Sequence, residues 1–220
     1  MVQAVPQPLT FDDFVALYPE DGGRYELRHG VITEMRPIGA HVRRASPQET
    51  EVISLIRRKL DFEIERLDLH YFIPQSCLVK PGREAEGYLP DIIVLDQAKA
   101  QADPYWRKYS SVSSGDPVRL IVEVVSTNWQ DDYLTKLAEY EKLGIPEYWI
   151  VDYRALGARF MGSPKVPTVW VYRLIAGEYE SGQAFHLGQG LISPTFSELA
   201  LTVDQVVAAG TATNPNGAGG

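Results

Sequence analysis

The chain has 220 residues, 45% apolar and 23% charged, with a formal net charge of −8. This balance suits one large globular domain or one domain with appendages, and the negative charge excludes a protein that coats nucleic acid by charge alone. One cysteine, Cys77, excludes an intrachain disulfide framework; no apolar run reaches membrane-spanning length and no signal segment opens the chain, so a cytoplasmic protein without membrane association is expected.

Taken in order, Thr10 reads as the N-cap of a short helix, FDDFVALYP, ended by Pro19. RYELRHGVITEMR, residues 24–36, reads as a β-hairpin turning at His29-Gly30. Ser46-Pro47-Gln48-Glu49 opens a long helix, with proline at its first position and Val52, Leu55, Ile56, Leu60, Ile64 and Leu67 at helical spacing. Three strand signals follow: HYFIPQSCLVK, which carries Cys77 as a small buried hydrophobe, then YLPDIIVLD and VRLIVEVV. A long connection, residues 97–117, separates the last two and holds a helical turn near Tyr105.

DDYLTKLAEYEKL then reads as a helix stopped by Gly144 and Pro146, EYWIVDY as a strand with core aromatics and a turn aspartate, Asp152, and TVWVYRLIAGEYESGQAF as a hairpin around Ala176-Gly177. A terminal helix, TVDQVVAAG, precedes a tail expected to be disordered. The order predicts one α/β (α+β) domain over residues 1–210, a mixed β-sheet flanked by helices with an N-terminal hairpin and a C-terminal hairpin extension, and a disordered tail over 211–220.

Glu123 interrupts the apolar run Leu120–Val125, where an ionised carboxylate is costly unless paired. Asp91, after Pro90, opens the preceding strand, with 31 residues between the two acids. Carboxylates on neighbouring strands can converge on a hard divalent cation such as Mg²⁺ or Mn²⁺, with the Val124 carbonyl completing the shell. Lys136, on the next helix, can orient a water or stabilise developing negative charge. Plainer explanations stand beside these: a turn-capping Asp91, a Glu123 satisfied by an arginine or by solvent, and an Asp132–Lys136 helical pair contributing roughly 0.2–0.5 kcal/mol. With no Cys/His cluster, zinc is not expected.

The same residues carry a family likeness. PD followed by a strand-borne glutamate resembles the PD-(D/E)XK nuclease superfamily, and EVVSTNWQDDYLTKLAEYEKLGIPEYWIVDY, with RYELRHGVI, is similar to the Uma family of restriction-endonuclease-like bacterial proteins, over about Phe11 to Leu201. The resemblance implies a restriction-endonuclease-like core and divalent-metal-dependent cleavage of DNA phosphodiesters. Asp91 and Glu123 would then be metal ligands. Position 125 is valine where the superfamily pattern has lysine, and Lys136 is the relocated match. Glu26 could add to the site or face solvent on its hairpin. His41 receives no role; Arg43 and Arg44 could contact phosphates or form a solvated loop. Glu123 is expected beside Asp91 at a sheet edge open to substrate. The alternative is a non-catalytic binding or assembly module on the same fold; a homodimer is expected in either case to be possible.

Overall fold

The computed structural model describes residues 7–35, 46–157 and 165–211. Helix α1, Phe11–Ala16, starts where the sequence predicts. Thr10 Oγ1 accepts the Asp13 amide and the Asp13 carboxylate accepts the Thr10 amide in return, a reciprocal cap contributing about 1 kcal/mol. The hairpin forms as β1, Tyr25–Arg28, and β2, Val31–Glu34, with φ of 52° at His29 and 75° at Gly30. Two successive positive φ values make the turn whose twist matches the strands. Glycine is required at position 30 on a second count, since a Cβ there would meet Pro8 Cβ at 2.2 Å.

Helix α2, Pro47–Arg66, is capped by Ser46 Oγ, which accepts the Glu49 amide. It buries Val52, Ile56, Leu60 and Ile64. The stretch HYFIPQSCLVK is not one strand. It gives β3, Tyr71–Phe72, and β4, Leu78–Val79, in two different sheets. Pro74 lies between them and has no N–H to continue a ladder; Cys77 falls in the connection and is buried.

Strand β5 is Ile92–Asp96, and what reads as a long loop after it is ordered. It holds α3, Gln97–Ala102, capped by the Asp96 carboxylate on the Lys99 amide, then α4, Trp106–Tyr109, and β6, Ser111–Val112, which pairs with β4. Strand β7 is Val118–Val124. The following helix is a π-helix over Asp131–Lys136 that continues as α5, Leu137–Lys142, and Gly144 at φ 75° ends it. The uniform α-helix expected there is therefore corrected.

Strand β8 is Glu147–Asp152, β9 is Thr168–Ile175, β10 is Glu178–Tyr179 and β11 is Gln183–Phe185; α6 is Val203–Thr211. Ala176 and Gly177 both take positive φ at the expected hairpin. The main sheet runs β10-β9-β8-β7-β5-β3, with β11 also on β9. Only β7 and β8 are parallel neighbours within it, joined through the π/α5 helix.

The two faces of β7 are therefore both covered. Leu120, Val122 and Val124 pack with Val52, Ile56 and Val206 from α2 and α6. Ile121 and Val125 pack with Tyr133, Tyr140, Tyr148 and Ile150 on the opposite face. Period-2 alternation puts Glu123 on that second face. Because β7 lies between β5 and β8, Glu123 sits in the sheet interior and not at an open edge, which corrects the expectation.

Candidate active site

Glu123 is 2% exposed, and the helix on its face supplies what the apolar strand lacks. Lys136 Nζ lies 3.0 Å from Glu123 Oε1, and the Tyr140 hydroxyl donates to the same oxygen at 2.9 Å. Lys136 also reaches Glu26 at 3.2 Å and Asp132 at 3.5 Å. The helical Asp132–Lys136 pair and the pairing with Glu123 thus exist together. The π-helix makes this possible: its wider turn points Asp132, Tyr133 and Lys136 inward together. Lys136 is 3% exposed.

The hairpin closes the other side. Arg24, Glu26 and Arg28 alternate along β1 and its entry, so they share one face. Glu26 is buried, corrected from the solvent-facing alternative. Its carboxylate pairs with Arg28 at 2.9 Å and accepts the Leu89 amide at 3.1 Å. Arg28 also meets Asp131 at 3.2 Å and lies over the Tyr88 ring.

Asp91 stands one residue before β5. Its Oδ2 accepts the Val124 amide at 2.9 Å, which ties it to the end of β7 beside Glu123. Its Oδ1 accepts from Arg24 Nη2 at 2.9 Å. Glu49, in the first turn of α2, is half-buried and feels the charge of Asp91.

Charge in this cluster does not balance. Glu26, Glu49, Asp91, Glu123, Asp131 and Asp132 face Arg24, Arg28 and Lys136, with Arg154 acting on Glu49. Burial alone would lower the Lys136 pKa, but Glu123, Glu26 and Asp132 outweigh it and hold the ammonium well above its ordinary value. Burial would also raise Glu26, yet Lys136 and Arg28 bring it below the usual range. One ammonium cannot keep every remaining carboxylate ionised. Burial first, then like charge, pushes Glu123 up to about 8 and Asp132 to about 7. Burial and the Asp91 charge push Glu49 up to about 7.

Asp91, Glu123, Val124, Lys136 and Glu26, all singled out by sequence, therefore come together. Arg24, Arg28, Tyr140 and the inward role of Asp132 were not assigned, and Glu49 had only its position. The alternation R-x-E-x-R was the available signal for the two arginines. His41, Arg43 and Arg44 lie outside the described residues. Trp149 and Tyr148 are core aromatics, as expected. Asp152 caps the turn after β8, accepting the amides of Leu156 and Gly157.

Among the described residues no three His, Cys, Asp or Glu side chains stand ready to hold a metal ion by themselves. The donor chemistry still fits Mg²⁺, which is commonly bound through one or two carboxylates and keeps several waters. The surplus of buried carboxylates is a charge that a divalent ion would offset. No helix among the described residues is long and apolar enough to cross a membrane.

The structure is similar to a crystal structure from Anabaena variabilis described as "a putative nuclease belonging to DUF820", with a TM-score of 0.65 and 18% identity over 92% of this chain and 99% of that one. That likeness establishes a nuclease-like fold, a mixed sheet flanked by helices. No curated protein matches the chain. The family model Uma2, described as "Putative restriction endonuclease", matches residues 11–204. With nearly its whole length accounted for by that match, the chain belongs to the Uma2 family of restriction-endonuclease-like proteins.

Proposed function

We propose that this protein is a divalent-metal-dependent endonuclease that hydrolyses DNA phosphodiester bonds. The observation that carries the reading is the meeting of Asp91, Glu123 and Lys136 where β5, β7 and the π-helix converge, with more buried carboxylate than cation. Asp91 and Glu123 would hold Mg²⁺ or Mn²⁺, with the Val124 carbonyl as a third oxygen. The Val124 amide points at Asp91, and in an extended strand a residue's carbonyl faces the same side as its amide. Bound there, the ion would acidify a water and neutralise phosphoryl charge.

The chain's own groups do the rest. Lys136 stays protonated among its carboxylates, so it contributes charge and donated hydrogen bonds to the attacking water or the developing oxyanion, and not proton abstraction. Tyr140 and Glu26 fix the two side chains that matter, Glu123 and Lys136. Tight burial limits the water that can enter.

The test is calorimetric Mn²⁺ binding together with cleavage of duplex DNA. Wild type should bind and cleave; Asp91→Ala and Glu123→Ala should lose both, and Lys136→Ala should bind but lose cleavage. Full metal-dependent cleavage by Asp91→Ala would overturn the assignment. One observation favours a second reading, a non-catalytic module on the same fold: Asp91 is 5% exposed and already paired with an arginine. A wild type that binds no Mn²⁺, even with DNA present, would select it.

A further inference from the structure

Arg24 is the cation of the cluster that combines a bond to a buried carboxylate with the greatest exposure. Its side chain is 36% exposed, against 18% for Arg28 and 3% for Lys136, while its partner Asp91 is 5% exposed. Its Nη2 lies 2.9 Å from Asp91 Oδ1, and at the limit of hydrogen-bonding distance, 3.5 Å, from the Leu89 carbonyl. The other charges that attract its guanidinium are Glu123 and Glu49. Arg24 therefore occupies the approach that an ion shared by Asp91 and Glu123 would need. Asp91 has only two oxygens, and Oδ2 is committed to the Val124 amide. A divalent ion on Asp91 would compete with the guanidinium for Oδ1 and repel its charge at a few ångströms.

We infer that Arg24 is a stand-in cation: it holds Asp91 in the metal-free protein, leaves when a divalent ion binds, and then grips a substrate phosphate at the mouth of the site. The inference rests on the metal reading of Asp91 and Glu123 given above. The displacement is not wasteful, because a guanidinium freed within one side-chain length of the ion is positioned where the phosphodiester must arrive. Its planar fork of donors matches two phosphate oxygens, a geometry lysine does not offer. Without the stand-in, Asp91 Oδ1 would lie buried and unpaired until metal arrived. Metal loading and phosphate capture thus become one exchange. The site favours substrate only after its ion is in place.

Phenylglyoxal, which modifies accessible arginine, reads this exchange directly when the modified peptide containing Arg24 is followed by mass spectrometry. Alongside, calorimetry measures Mn²⁺ binding to wild type, Arg24→Met, Arg24→Lys and Asp91→Asn. Modification of Arg24 should be slow in metal-free wild type, several-fold faster with saturating Mn²⁺, and slow again when a phosphorothioate duplex, which resists hydrolysis, is added. In Asp91→Asn it should be fast with or without metal. Arg24→Met should bind Mn²⁺ about tenfold more tightly than wild type, with Arg24→Lys between them, and both should bind the duplex more weakly. Mn²⁺ binding to wild type with no change in the Arg24 modification rate would overturn the inference while leaving the metal reading intact. Acceleration by Mn²⁺ with no slowing by the duplex would overturn the phosphate grip. No Mn²⁺ binding to any variant would overturn the metal reading, and this inference with it.

Discussion

Two glutamates on neighbouring parallel strands are both buried, yet their surroundings are unlike. Glu147 on β8 accepts Trp149 Nε1 at 2.6 Å, the Ser193 hydroxyl at 2.8 Å and the Thr195 amide at 2.8 Å. Every donor is neutral, and together they pin the segment before α6 to the sheet. Burial raises its pKa, and these hydrogen bonds pull the other way. Glu123 on β7 has one neutral donor, Tyr140, and one ammonium that it shares with two other acids. The first carboxylate is satisfied by the fold. The second is crowded by its own kind, an arrangement that stability alone does not select.

The sharpest way to break the contrast is to remove the shared cation. Lys136→Met leaves Glu26 ionised and buried without its ammonium, beside Glu123 and Asp132, and should cost about 3–5 kcal/mol in urea unfolding. A loss below about 1 kcal/mol would show that Glu26 is neutral as well. Next, the same isosteric change made at both glutamates should give opposite results. Glu147→Gln turns an amide NH₂ toward donors and should cost about 2–3 kcal/mol. Glu123→Gln replaces a carboxyl that burial and like charge already keep mostly protonated at pH 7 and should stay within about 1 kcal/mol of wild type. Equal losses at the two positions would erase the distinction.

A gentler test varies pH on the metal-free protein. Glu123 at about 8 and Glu49 at about 7 stand above their ordinary 4.5, and Asp132 at about 7 stands above 3.8. Between those limits the folded protein holds protons that the unfolded chain has released. This stability is fully present below about pH 4 and is lost as the pH rises through 7 to 8. The urea midpoint should fall across that window, and Glu123→Gln should flatten the fall. A midpoint that rises toward pH 8 contradicts the crowding. The smallest effects come from single hydroxyls: Ser193→Ala and Tyr140→Phe should each cost about 1 kcal/mol, but only Tyr140→Phe should alter Mn²⁺ affinity in calorimetry.

What was legible in the sequence was local. Thr10, His29-Gly30, Ser46-Pro47 and Gly144 act on backbone groups within a few residues of themselves, so their effects can be read in order along the chain. Asp91, Glu123 and Lys136 were legible because a polar residue in an apolar run and a family motif marked them. Long-range partners were not. Nothing near Arg24 in the sequence points to Asp91, 67 residues away, and nothing near Glu147 points to Ser193. The split of β3 from β4 depends on which sheet each half finds after Pro74. Charges 2.9 Å apart in space and 67 residues apart in sequence leave no periodic trace.

The π-helix at Asp131–Lys136 has one more implication. Such a segment equals an α-helix carrying one surplus residue. Deleting Leu134, whose side chain is 46% exposed, would let the backbone relax to the commoner helix. The stretches on either side would keep their facing, because the wider turn had absorbed the extra residue, and Asp132 and Lys136 would stand three residues apart on one face. A single lost codon would thus exchange the π turn for commoner backbone bonding and change the spacing with which Asp132 and Lys136 meet Glu123.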